Sequence, residues 1–244
     1  MPDLTVSFVQ TKLHWQDAAA NRATLDVALT GLSSPTDLIV LPEMFTTGFS
    51  MEAEVLAEPM DGPTVAWLRA HAAAHHAVVT GSVIIEENGS YFNRLLWVRP
   101  DGSLSTYDKR HLFTLAGEQH TYTPGTARLV EEWRGWRICP LVCYDLLLYV
   151  ANWPAVRRTA WTTLLRARAI ENVACALGVN RIGQDANGHE YAGDSALLDA
   201  KGNYLVEAHA QPGIFTHTLR RAELDEFRAT FGALNDGDAF ELSA

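Results

Sequence analysis

The chain opens on an alternating, β-rich run, LTVSFVQ over residues 4–10, and then changes period. Residues 18–32 place Leu25, Val27, Leu29 and Leu32 at helical spacing, with Asp17 as the cap. DLIVL, residues 37–41, is short and wholly apolar after its first residue, which predicts a strand buried on both faces; it stops at Pro42-Glu43. An alanine-rich helix over 64–76, introduced by Asp61-Gly62-Pro63, and a strand over 77–86 complete a β, α, β, α, β order. Asn88-Gly89 and Asp101-Gly102 then join strand-like runs over 78–86, 91–99 and 104–107, which predicts antiparallel hairpins. Residues 112–126 have no period, contain Gly117, Pro124 and Gly125, and form a segment long enough for a functional loop over a site.

Residues 127–132 and 136–142 predict a further hairpin, the second run leading into Cys143. A strand over 146–151 and a helix over 157–174, with Leu164, Leu165, Ala169 and Ile170 on its apolar face, add a βα unit. Strands over 176–181, 195–199, 204–209 and 213–219 follow, and 218–228 predicts a short closing helix before a polar tail. No linker, repeat or low-complexity segment interrupts the pattern. The expectation is one domain over residues 1–244, α/β with mixed sheets (α+β) and helices on the outside.

Composition narrows the function classes. A chain of 244 residues, 48% hydrophobic and 20% charged, can build a sizeable core. A formal net charge of -10 without any Lys/Arg-rich run argues against nucleic-acid or anionic-membrane partners and leaves small molecules or copies of itself. The first ten residues lack the basic start and apolar core of a signal peptide, and no stretch approaches the roughly 18 apolar residues of a membrane span. A cytoplasmic setting is expected. Cys139, Cys143 and Cys175 form no CxxC pair, and an odd count there favours free thiols.

Candidate chemistry sits at strand ends, where open α/β sheets keep it. Glu43, Lys109 and Cys143 each follow directly on a β-like run expected in the core. Taken singly, each has an ordinary explanation: a solvated turn residue, an exposed lysine, a cysteine used as core filler. A carboxylate, an ammonium and a thiol at one sheet edge, however, are costly to keep there unless they pair, and that combination makes a site. His71, His75 and His76 have helical spacing without the acidic partner of an HExxH motif, and Cys139 and Cys175 are read as structural. No metal or cofactor is expected.

PEMFTTGF around Glu43, YDKRH at Lys109, GEQHTYTPG around Glu118 and LVCYD at Cys143, in this order, resemble the nitrilase (carbon–nitrogen hydrolase) superfamily. YVANWPA, and ARAIEN followed by VNRIG, look most like its ω-amidase branch, which acts on 2-oxoglutaramate and related short dicarboxylate monoamides. The resemblance implies a four-layer αββα sandwich, a homodimer and a Glu43, Lys109, Cys143 triad with Glu118 as an additional active-site glutamate. It also implies that the Tyr144 backbone N–H, with Lys109, holds the oxyanion. Phe45, Tyr122 and Trp153 are aromatic pocket candidates, each with plain packing as the alternative. Another activity of the superfamily (aliphatic amidase, nitrilase, carbamoylase) shares this triad. A thiol sensor in which Cys143 is oxidised without turnover is the rival from a different class.

One departure stands out. In the family CYD is followed by a hydrophobic residue, an arginine, a phenylalanine and a proline, then a further stretch before the next strand. Here Leu146-Leu147-Leu148-Tyr149 runs straight into YVANWP. A strand ending at Cys143 is not expected to restart as its own parallel neighbour within two residues, so an excursion is expected after Asp145. The arginine it would carry is the one the resemblance offers for a distal substrate carboxylate.

Overall fold

The computed structural model describes residues 2–32, 34–142 and 147–231. The first part runs β1 (Leu4–Gln10), α1 (Ala18–Thr30), β2 (Leu38–Val40), α2 (Ala53–Leu56), α3 (Pro63–His75), β3 (Val78–Glu87), β4 (Ser90–Val98) and β5 (Leu104–Asp108). Next come β6 (Glu131–Trp133), β7 (Trp136–Ile138), β8 (Pro140–Val142), β9 (Leu148–Ala151) and α4 (Arg158–Glu171). The last part is β10 (Ala176–Asn180), β11 (Ile182–Gln184), β12 (Glu190–Ala192), β13 (Ala196–Leu198), β14 (Tyr204–Glu207), β15 (Gly213–Leu219) and α5 (Arg221–Thr230).

Side-chain alternation along the strands sorts these elements into layers. One sheet has the order β15-β1-β2-β3-β4-β5 and the other β14-β13-β10-β9-β8. Leu4, Val6 and Phe8 of β1, Leu38 and Val40 of β2 and Leu95 and Trp97 of β4 share one buried cluster with Leu148 and Val150 of β9, Leu177 and Val179 of β10 and Leu197 of β13. The intervening Val9, Ile39, Val79, Leu96 and Val98 turn the other way and bury Leu25 and Leu29 of α1 and Val65, Leu68 and Ala72 of α3. On the far side of the second sheet, Tyr149, Ala151, Ala176, Ala196 and Leu198 pack against Trp161, Leu165 and Ala169 of α4. The result is an αββα sandwich, as expected. A register slip of one residue in any central strand would send its whole apolar set to the wrong layer, at roughly 1.5–3 kcal/mol for each large side chain exposed.

β1 pairs in parallel with β2 and antiparallel with β15, Leu4 opposite Leu219 and Gln10 opposite Gly213. The hairpin between β3 and β4 turns on Asn88 and Gly89, with φ of 53° and 76°, the left-handed pair that this dipeptide favours.

Several boundaries differ from expectation. The run 136–142 is two strands: β7 pairs with β6, and after Cys139 the chain crosses to the second sheet as β8. Pro140 has no N–H for a ladder on both sides, and β8 accordingly lies at a sheet edge. Cys139 therefore lies between strands, not inside one. The closing helix begins at Arg221, because the residues to Leu219 belong to β15. The small strands β11 and β12 and the single turn α2 are additions. β8 and β9 pair in parallel, Pro140 opposite Leu148; the excursion expected after Asp145 falls at residues 143–146, outside the described residues. Among the described residues no helix is long and apolar enough to cross a membrane.

Candidate active site

Glu43 sits in the turn that leaves β2, and neighbouring strand β3 fixes that turn. Ser82 of β3 accepts the Phe45 N–H at its carbonyl (3.2 Å) and the Met44 N–H at its hydroxyl (2.9 Å). Met44 takes a φ of 44°, and Glu43 is left 1% exposed at the strand tip. Lys109 extends the β4–β5 ladder by one residue, donating its N–H to the Asn93 carbonyl at 2.9 Å, and its own carbonyl accepts the Gly125 N–H at 3.1 Å. Glu118 opens a 3-10 turn over Glu118–His120 in the aperiodic loop, after Gly117 with φ 75°.

These three strangers in sequence meet in the core. Lys109 Nζ donates to Glu43 Oε1 at 3.0 Å and lies 2.9 Å from Glu118 Oε2, and all three side chains are at most 1% exposed. Further donors reach both carboxylates: Asn93 Nδ2 donates to Glu43 Oε1 (2.8 Å), the Asn152 N–H to Glu43 Oε2 (2.6 Å) and the Phe113 N–H to Glu118 Oε2 (2.6 Å). A buried carboxylate can stay charged only with donors of this kind around it. For Glu118, burial outweighs Lys109 and holds the carboxyl above its ordinary range, with Glu43 adding to the rise. Two carboxylates sharing one ammonium thus favour a proton on the cluster, the arrangement from which acid–base chemistry draws.

A cavity of about 230 Å³ opens beside the cluster, with Glu43, Lys109 and Asn152 as its polar side and Phe49, Phe113, Trp153 and Tyr191 among its apolar lining. The aperiodic loop contributes Phe113, Leu115 and Ala116, as expected of a loop over a site. The Lys109 ammonium lies 5.1 Å from the Phe49 ring centroid, so the apolar side also favours a cation there. A larger cavity of about 510 Å³, lined by Trp136, Cys139, Cys175 and Leu197 among others, touches none of the three charged groups.

Of the three pocket candidates, the structure puts Trp153 on this lining and the other two elsewhere. Phe45 is fully buried against Trp67 beneath α3, its ring 2.9 Å from where a Cβ on Gly81 would be. Tyr122 packs with Met44, Ala53 and Ile84, and its hydroxyl is spent on the Ser50 carbonyl. Cys143 and the Tyr144 backbone N–H lie outside the described residues. Sequence reasoning missed Asn93, Asn152, Phe49 and Phe113; the one available signal was that Asn152 follows a buried strand, within YVANWPA. His71 pairs with Asp26 (2.7 Å) and stacks on His75, and Cys175 is a half-buried thiol that burial pushes up to about 11.

The model of the carbon-nitrogen hydrolase family matches the chain over residues 5–158 and 146–229. The chain is 45% identical to the ω-amidase YafV of Yersinia enterocolitica, over 99% of this chain and 100% of that protein. It is 28% identical to the 2-oxoglutaramate amidase of Bacillus subtilis, over 95% and 96%. Among solved structures, the CN-hydrolase superfamily protein XC1258 from Xanthomonas campestris, with an arsenic adduct in its active site, superposes with a TM-score of 0.96 at 48% identity and covers both chains fully. The alignment with the Yersinia protein runs over 259 positions, more than this chain's 244 residues, so that relative carries residues this chain lacks. The second stretch of the family match begins at residue 146, where the sequence departs from the family pattern.

Proposed function

The chain belongs to the carbon–nitrogen hydrolase family and is a hydrolase of carbon–nitrogen bonds other than peptide bonds; from that premise we propose that it is an ω-amidase, releasing ammonia from the terminal amide of short dicarboxylate monoamides such as 2-oxoglutaramate and succinamate. The observation that carries the reading is the buried Glu43–Lys109–Glu118 cluster at the polar side of a small, aromatic-lined cavity.

In this proposal Cys143 is the nucleophile. Amides resist water, and a thiol activated by a neighbouring base attacks them more readily. Glu43 takes the thiol proton as the sulfur bonds to the amide carbon, then gives a proton to the departing ammonia, leaving a thioester. Glu43 next removes a proton from the water that cleaves the thioester to acid and free thiol. Two of its donors, the Asn152 N–H and Asn93 amide, aim its oxygens without consuming its proton-accepting capacity entirely. Lys109 and the Tyr144 N–H hold the oxyanion of each tetrahedral intermediate; loss of one such donor costs roughly 10²–10³ in rate. Glu118 keeps Lys109 from collapsing onto Glu43 alone. The same reading includes a homodimer, supported by the family resemblance, and a cytoplasmic setting.

Ammonia release from 2-oxoglutaramate, succinamate, an aliphatic nitrile and an N-carbamoyl amino acid tests the assignment. The dicarboxylate monoamides should be turned over with the highest kcat/KM, and Cys143→Ala should abolish turnover. Preference for the nitrile or the carbamoyl compound, or full activity of Cys143→Ala, would overturn it.

A further inference from the structure

An ω-amide substrate carries a carboxylate far from the scissile bond, and the arginine that the resemblance offered for it is absent from this chain. The cavity supplies a different cation. Arg157 ends a 3-10 turn, Ala155–Arg157, between β9 and α4, and lines the cavity that also contains Glu43 and Lys109. Its backbone is fixed at both ends: its N–H donates to the Pro154 carbonyl (3.0 Å), and its carbonyl accepts from Trp153 Nε1 (2.8 Å). The guanidinium carbon stands 5.1 Å from the Phe113 ring centroid and 5.6 Å from that of Trp153, two rings of the same lining. Stacking of this kind holds the planar fork in place while leaving its N–H edge for a ligand.

The neighbouring Arg158 shows what this chain does with an arginine it uses structurally: its Nε meets Asp194 Oδ2 at 2.6 Å. Arg157 has no carboxylate partner among the described residues, and Lys109, the other permanent cation on the lining, already holds two. The other titratable groups on this lining are Glu43, held by Lys109, the exposed His189, and Tyr191, whose hydroxyl donates to Asp185 Oδ2 at 3.0 Å.

We propose that Arg157 binds the distal carboxylate of the substrate through its guanidinium and thereby sets the preference for dicarboxylate monoamides over neutral amides. The inference rests on the ω-amidase reading and adds the residue that would enforce it. Bidentate contact between a guanidinium and a carboxylate gives geometry as well as affinity, so the substrate would be held by its two ends, amide at the Glu43 side and carboxylate at Arg157.

The test is the ratio of kcat/KM for succinamate to that for butanamide, a neutral amide of similar length. In the parent the ratio should be well above one. Arg157→Ala should lower it roughly 10- to 100-fold, mainly through KM for succinamate, and Arg157→Lys should lower it less, keeping the charge but not the fork. Succinate, as a competitive inhibitor of butanamide hydrolysis, should lose affinity in parallel. An unchanged ratio in Arg157→Ala, or equal losses on both amides with unchanged succinate inhibition, would overturn the proposal while leaving the parent's preference intact. A parent ratio near one would instead bring down the ω-amidase reading, a result visible before any variant is made.

Discussion

Replacing Glu118 by glutamine removes one charge from the buried cluster and little else. The carboxylate receives Lys109 Nζ at 3.1 Å on Oε1 and 2.9 Å on Oε2, and Oε2 also accepts the Phe113 N–H at 2.6 Å. An amide keeps the second oxygen's two contacts only by placing its NH₂ where Oε1 was, donor facing donor across the distance to Lys109. Lys109 retains Glu43 at 3.0 Å, so the loss is one charged contact, about 1–3 kcal/mol. For a chain of this size that corresponds to a Tm lower by roughly 2–12 °C. The pH dependence is the sharper readout. Burial raises the folded-state pKa of Glu118 above its ordinary 4.5, so its contribution to stability is fully present below 4.5 and lost as pH rises through the folded value. The stability advantage of the parent over Glu118→Gln, followed by urea unfolding from pH 5 to 8, should therefore shrink with rising pH. An advantage that grows with pH would mean that Lys109 outweighs burial and that Glu118 sits below its ordinary range, which would refute the reasoning.

Two further outcomes follow from specific contacts. A Cβ on Gly125 would stand 2.2 Å from the Asp108 carbonyl oxygen, against backbone that cannot rotate away, and the Gly125 N–H holds the Lys109 carbonyl; Gly125→Ala should lower Tm and cut kcat by displacing Lys109, and unaltered values of both would contradict this placement. With its thiol pushed up to about 11, Cys175 carries on the order of one thiolate in a thousand at pH 8, so iodoacetamide treatment of Cys143→Ala followed by peptide mass mapping should leave Cys175 unmodified, and rapid labelling there would be inconsistent with its burial.

The layers were legible because strand periodicity is local. Leu38 and Val40 against Ile39 and Leu41 already state which two surfaces β2 must cover, and Asn88-Gly89 states its turn type. Two members of the charged centre were legible for a related reason, since Glu43 and Lys109 each follow directly on a buried run, whereas Glu118 came from the family resemblance alone. Their donors were not. Asn93 and Asn152 reach Glu43 from 50 and 109 residues away, and apart from the buried strand that precedes Asn152 nothing local marks either as its donor. Phe45 and Phe49 lie four apart in a turn with no repeating period, so which ring would line the cavity and which would pack under α3 could not be read. The expectation of an excursion after Asp145 rested on how far parallel strands must travel. The segment it concerns, residues 143–146, lies outside the described residues, so the pairing of β8 with β9 is all that the structure adds there.

The pairing of β1 with β15 also orders events in time. Thr5 and Thr218 share a hydroxyl contact at 3.0 Å across 213 residues, and nearly the whole chain must leave the ribosome before β1 gains this neighbour. Until then LTVSFVQ, with Val6 and Phe8 made for the interior, presents an open β edge to every other nascent chain. Synthesis therefore sets a waiting period before this edge of β1 is covered. The long closure it awaits places the protein among slow folders, whatever the stability of the finished sandwich.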